Sequence, residues 1–155
     1  MAGVLGLISD THGLLRPEAL EALQGCERII HAGDVGAPEI LARLRQIAPV
    51  VAVRGNVDSG HPGRLLPYTA TVDFNGCAIH VIHILGDLEL PPPAGTSAVV
   101  YGHSHTPSIE DRDGILYVNP GSAGPRRFKL PVTVAKMRID DGRLVAEIVD
   151  LKVRG

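Results

Sequence analysis

Apolar and polar residues follow one another along this chain in blocks that name their own secondary structure. Residues 4–9 (VLGLIS) form a continuous apolar run closed by polar residues, the pattern of a strand buried on both faces. Pro17 and Glu18 then open PEALEALQG, where Ala19, Leu20 and Leu23 recur at helical spacing and Gly25 supplies a stop. The order repeats at once. RIIHA (28–32) predicts a second strand, PEILARLRQI from Pro38 a second helix with Ile40, Leu41, Leu44 and Ile47 on one face, and VVAVR (50–54) a third strand. Such a βαβαβ succession predicts a parallel sheet with right-handed crossovers.

After residue 55 the texture changes to hairpins. TATVDF and CAIHVIHI flank an Asn75–Gly76 turn, SIEDRDGILYVN turns at Asp113–Gly114, and VTVAKMRIDDGRLVAEIVDL turns at Asp141–Gly142. Between the first hairpin and the strand SAVVYG, the segment LGDLELPPPAGTS has three consecutive prolines and no helical period, so it predicts a linker without a helix. The expected fold class is α/β (α+β): one domain over 1–155, with a parallel βαβαβ N-terminal half and a mainly antiparallel C-terminal half.

Composition sharpens this picture in three places. Hydrophobic residues make up 45% and aromatics only 3%, so the core must be built from Val, Ile, Leu and Ala, which favours layered α/β packing over a small barrel. The net charge of −2, with Lys and Arg scattered, offers no stripe for a phosphate backbone, so no extended nucleic-acid footprint is expected, while single nucleotides remain open. Cys26 and Cys77 lie in unrelated segments without a CxxC spacing, which predicts two reduced thiols and a cytoplasmic location rather than a disulfide scaffold or zinc ribbon. GVLGLIS lacks a basic lead and is too short for a signal segment, and no run reaches the 18 apolar residues of a membrane span.

The chemistry gathers where the apolar strands end. The first ends in SDTH (Asp10, His12), the second in HAGD (Asp34), the third in RGN (Asn56), the hairpin strand in VIH (His83) and the sixth in GHSH (His103, His105). Loops leaving the carboxyl ends of strands in an α/β sheet converge on one rim, where ligands bind. If these ends are extended, residues i and i+2 share a face, so Asp10 with His12 and His103 with His105 are delivered as pairs. Gly33, Gly55 and Gly102 precede Asp34, Asn56 and His103 and let the backbone approach a ligand closely. Imidazole nitrogens with carboxylate and amide oxygens suit Mn, Fe, Zn or Ni rather than Ca. Seven such donors exceed the needs of one transition metal and suit two ions about 3.5–4 Å apart, a device for displacement at phosphorus.

The ordered set SDTH, GDV, GNVD, a strand-end His, GHSH and NPGSAGPR resembles the calcineurin-like metallophosphoesterase superfamily, in its small prokaryotic phosphodiesterase branch, from residue 4 to about 150. The resemblance implies a two-sheet β-sandwich flanked by helices and a dinuclear site. Asp10, His12 and His105 would hold the first metal, Asn56, His83 and His103 the second, and Asp34 would bridge them. It also implies Mn²⁺ as the usual activating ion, with Ni, Fe or Zn as alternatives. In the mechanism this suggests, two dications acidify a bridging water, the resulting hydroxide attacks phosphorus in line, and the metals with Asn56 stabilise the charge that develops. Asn56, His83 and His103 thus carry catalysis by position, and the substrate is a small-molecule or nucleotide phosphate ester.

Two departures, and two open assignments beside them, qualify the resemblance. Val57 stands where larger relatives place a histidine after the asparagine, so no general acid is evident and aryl or otherwise activated phosphodiesters are the expected substrates. Asp58, next along, either orients a metal-bound imidazole as part of the catalytic set or merely starts the following loop. His83-Ile84-Leu85 replaces the His-Gly-His of small relatives, and the Pro-rich linker replaces a helix. The linker then packs on its own sheet, the simpler reading, or covers a contact in a homodimer or higher homo-oligomer. Arg126 and Arg127 either reach substrate phosphate or are solvated. His31 and His80 are expected to be structural, and His61 a loop residue. Two alternatives to a phosphoesterase remain: a protein-interaction scaffold on the same fold, as in the retromer subunit that resembles this family, and a single-metal amide or ester hydrolase.

Overall fold

The computed structural model describes residues 3–58 and 65–153. Their elements run β1 (Val4–Ile8), α1 (Pro17–Ala22), β2 (Arg28–His31), α2 (Pro38–Arg45), β3 (Val50–Ala52), β4 (Thr69–Phe74), β5 (Cys77–Ile82), β6 (Thr96–Val100), β7 (Ser108–Arg112), β8 (Ile115–Asn119), β9 (Thr133–Asp140) and β10 (Arg143–Asp150). His61 and most of the loop after Asn56 lie outside the described residues.

Two five-stranded sheets stack, in the orders β10-β9-β1-β2-β3 and β4-β5-β6-β8-β7. β1, β2 and β3 are parallel, as the βαβαβ pattern predicts. The three expected hairpins form as β4–β5, β7–β8 and β9–β10. Hairpin signals do not announce the two parallel pairings at the centre of the second sheet, β5 with β6 and β6 with β8. Those pairings align the carboxyl ends of β5 and β6, the strands that carry His83 and the GHSH loop.

Strand β1 shows how the layers are assigned. Leu5 and Leu7 point between the sheets and pack with Ile30, Phe74, Ile79 and Met137. Ile8 faces the other way, onto a second core with Leu23, Ile40, Leu41 and Leu44 of the helical layer. Fully burying each such side chain contributes about 1.5–3 kcal/mol. Gly6 lies under α1, where a β-carbon would stand 2.7 Å from the Leu23 side chain, so its lack of a side chain is a packing requirement. Pro17 and Pro38 each occupy the first helical turn, where a missing N–H costs nothing.

The linker contains one 3₁₀ turn, Leu85–Asp87, where no helix is predicted; a single turn needs no amphipathic period to betray it. Leu85 and Leu88 pack against Val99, Tyr101 and Tyr117 on the outer face of the second sheet, so the linker takes over the covering role of a helix. Among the described residues no helix is long and apolar enough to cross a membrane.

Candidate metal centre

Every donor singled out at a strand end meets the others at one rim. The ligand atoms of Asp10, His12 and His105 all lie within 4.8 Å of one another, as do those of Asp34, His83 and His103. The two groups adjoin: Asp34 Oδ2 lies 3.2 Å from His83 Nε2 and 3.5 Å from His12 Nε2, so one carboxylate oxygen faces both. Asp10 Oδ1 lies 3.5 Å from His105 Nε2 and 3.9 Å from His83 Nε2. Asn56 Oδ1 stands 3.0 Å from His83 Nε2 and 3.2 Å from His103 Nδ1.

The backbone route to this geometry differs from the expected extended pairs. Asp10, His12, Asp34, His103 and His105 all adopt left-handed φ, between 47° and 75°, so tight turns rather than strand alternation aim them. Each such residue costs about 1–2 kcal/mol, an expense that persists only where the surroundings over-determine it. Here they do. The Asp10, His12 and Gly13 N–H groups donate to the carbonyls of Gly33, Asp34 and Val35 at 2.9–3.0 Å, zipping the β1 loop onto the β2 loop. Asp10 Oδ2 accepts from Ser9 Oγ at 2.6 Å and from the His103 N–H at 3.1 Å, while Ser122 Oγ donates to the Asp10 carbonyl. Asn119 Nδ2 donates to Gly102 O and Ser104 Oγ, steadying the GHSH turn. Asn119 and Ser122 fall inside the NPGSAGPR stretch, yet nothing in the sequence says which backbone atoms they reach. The glycines leave room for neighbouring side chains: a β-carbon at Gly33 would lie 2.6 Å from the His83 ring, and one at Gly102 2.7 Å from Asp10 Oδ2.

The donor set fits a cation. Asp10 Oδ1 is wholly buried and has no hydrogen-bond partner among the described residues. A buried carboxylate oxygen without a partner is costly unless a positive charge faces it. His83 Nδ1–H donates to the Ala32 carbonyl at 2.7 Å, which leaves the Nε2 lone pair pointing inward, the tautomer a metal-binding imidazole needs. Asn56 presents its amide oxygen to two imidazole nitrogens, a set of acceptors that either a turned amide or a cation would satisfy.

Titration behaviour agrees with these surroundings. His12 is raised above the ordinary histidine range, first by its pairing with Asp10. Burial lowers His83, but the carboxylates of Asp34 and Asp10 outweigh it and the net shift is upward. Burial likewise works to raise Asp34, and hydrogen bonds from His83 and the Val57 N–H overcome it, leaving the group more acidic than usual. His105 is lowered, chiefly by burial. Imidazoles that bind a cation do so through an unprotonated ring nitrogen, so metal uptake at this rim is expected to weaken as pH falls.

Two further candidates are held by backbone contacts. Asp58 is buried and accepts the N–H groups of Val35, Gly36 and Gly55 at 2.9–3.2 Å, so among the described residues it clamps the β2 and β3 loops to each other. Sequence spacing cannot show this, since the clamped N–H groups come from two separate loops. Asp58→Ala is expected to leave those donors unpaired and lower stability by about 3 kcal/mol, read as a fall in thermal midpoint of roughly 6–12 °C. Arg126 donates to the Val153 carbonyl at 2.7 Å and so ties the loop after Pro125 to the C-terminal segment. Arg127 is close enough to His12 and His105 for its charge to oppose their protonation, and like Arg126 it is exposed.

His31 is fully buried and held down to about pH 4, first by desolvation. Because its folded value lies below the unfolded one near 6.5, its neutral form favours folding at neutral pH, and that contribution is lost as pH falls from about 6.5 to 4. Denaturant unfolding of the metal-free protein at pH 7.5 and 4.5 is expected to show wild type losing about 2 kcal/mol more than His31→Gln. His80 lies on β5, half-buried and lowered by desolvation, with no contact to the rim groups.

The two-sheet α/β fold thus presents at its strand ends two carboxylate–imidazole triads with the spacing of a candidate metal centre. The model of the calcineurin-like phosphoesterase superfamily domain matches residues 4–142, and the chain belongs to that superfamily. It is 35% identical to a probable metallophosphoesterase of Methanothermobacter thermautotrophicus, over 94% of this chain and 91% of that protein. It is 32% identical to the phosphodiesterase YfcE of Escherichia coli over 74% of this chain and 76% of the relative. Among solved structures, vacuolar protein sorting 29 of Cryptosporidium parvum superposes with a TM-score of 0.74 at 20% identity, covering 96% and 97% of the two chains. At that identity the likeness speaks for the fold alone.

Proposed function

We propose that this chain is a phosphodiesterase that hydrolyses P–O bonds at a dinuclear site. Asp10, His12 and His105 would hold one divalent ion, Asn56, His83 and His103 the other, with Asp34 between them. The observation that carries the reading is the convergence of two triads on a rim where the Asp10 Oδ1 oxygen is buried without a partner. When bound, two dications supply Lewis acidity: they acidify water and draw charge from phosphate oxygens. The chain's own residues do the positioning. His83, locked by the Ala32 carbonyl, and His103 bring ring nitrogens to one side of Asp34, while His12 and His105 do so at the other. Asn56 sits where its amide can meet both an ion and the transition-state oxygens. Arg127 adds a positive charge beside the His12 triad, a place from which a guanidinium can engage a phosphate oxygen.

No imidazole follows Asn56. Val57, half exposed there, can neither donate nor accept a proton, so the departing oxygen must leave with little help. The substrate class is accordingly a small phosphodiester with an aryl or similarly activated leaving group. Bis-p-nitrophenyl phosphate supplied to the purified protein with Mn²⁺, and separately with Ni²⁺, Fe²⁺ and Zn²⁺, tests this, with elemental analysis alongside. Turnover with about two ions per chain is expected. Two bound ions without turnover under any metal would shift the reading to a protein-interaction scaffold, and one ion per chain to a mononuclear hydrolase.

A further inference from the structure

His31 lies outside both triads, yet both of its ring nitrogens are engaged. Nδ1 accepts the Gly33 N–H at 3.1 Å, so that nitrogen carries a lone pair and the ring proton sits on Nε2. Nε2–H therefore donates to Thr11 Oγ1 at 3.0 Å. The Thr11 hydroxyl in turn donates to the Val35 carbonyl at 2.8 Å. Each proton in this chain has one place to go, and each group is buried: Thr11 and His31 are both 0% exposed. The ends of the chain matter most. Thr11 lies between Asp10 and His12, whereas Gly33 and Val35 flank Asp34.

We propose that His31 is a positioning residue whose neutral ring ties the Asp10–His12 loop to the Asp34 loop and so sets the spacing between the two metal triads. A mere core filler would not need either nitrogen, and an apolar side chain of similar size would fill the space without a desolvated ring. Backbone bonds already zip the two loops together. The His31–Thr11–Val35 chain adds the sideways restraint, since it runs from one loop through a rigid ring to both flanks of Asp34. Partners of this kind, which orient ligands without touching the metal, change affinity by about 10–100-fold when removed.

The inference rests on the two-metal reading, and the test separates the two. Thr11→Val keeps the shape of the side chain and removes the hydroxyl, whereas Thr11→Ser keeps the hydroxyl and removes a methyl. Calorimetric titration of each metal-free protein with Mn²⁺ is expected to show affinity lower by about tenfold in Thr11→Val and within about twofold of wild type in Thr11→Ser. The reverse order would assign Thr11 and His31 to packing and overturn the proposal, as would equal affinity in all three proteins. Nitrogen NMR of histidine-labelled wild-type protein without metal supplies a second measurement that needs no variant to fold. An Nε2–H tautomer at His31 is expected, and an Nδ1–H tautomer would also overturn the proposal. Wild-type protein that takes up no Mn²⁺ would instead overturn the metal centre itself, whatever the tautomer.

Discussion

Asp34→Asn lowers Mn²⁺-dependent turnover of bis-p-nitrophenyl phosphate by about a thousandfold while the protein stays folded. The two halves of this expectation come from the two oxygens of one carboxylate. Oδ1 accepts the Val57 N–H at 2.9 Å, a bond the amide oxygen of asparagine can keep, so the local loop survives. Oδ2 faces His83 and His12 at 3.2 and 3.5 Å, and asparagine offers that position a neutral NH₂ group with no charge to share between two cations. Losing several kcal/mol of charge stabilisation corresponds to roughly 10³ in rate. Steady-state kinetics with a thermal melt as control measures it. Turnover within about tenfold of wild type would remove Asp34 from the bridging position.

His103→Ala and His105→Ala form the second large effect, and here the informative quantity is which ion departs. The two histidines are i and i+2 in one short loop, yet His105 groups with Asp10 and His12, and His103 with Asp34 and His83. Their burial differs too: His105 is 3% exposed, while His103 stands at the open side of the rim. Each substitution is expected to cut metal content from about two ions per chain to about one, since removing one donor of three or four leaves an unsaturated site. Activity should fall in both by about two orders of magnitude or more. Combining each with His12→Ala distinguishes the sites. His105→Ala/His12→Ala removes two donors from one triad and should keep one ion, whereas His103→Ala/His12→Ala damages both and should keep fewer. Simultaneous loss of both ions in each single variant would defeat the division.

Residue types and their order along the chain carried much of the site. SDTH, HAGD, RGN, VIH and GHSH each terminate an apolar run, and the structure brings Asp10, His12, Asp34, Asn56, His83, His103 and His105 to the same rim. What spacing misjudged was the means. An i, i+2 pair suggests extended backbone, but Asp10, His12, His103 and His105 are all left-handed, because loops must turn away from the sheet edge immediately after the strand ends. The contacts of Asp58 and Arg126 were hidden for a related reason: their partners are backbone atoms at Val35, Gly36, Gly55 and Val153, and backbone atoms leave no mark in a residue pattern.

The alternation of apolar blocks with Pro-initiated helices and Asp-Gly or Asn-Gly turns determined the elements and their order in this protein, because strand and helix periodicities are local properties of the chain. Tertiary structure alone decided that β8 lies beside β6, that the linker's Leu85 and Leu88 cover the second sheet, and that His31, three residues from Asp34, ties two loops together without facing the rim. Those outcomes depend on distances between segments far apart in sequence, and such distances are set by how the whole core packs rather than by any stretch within it.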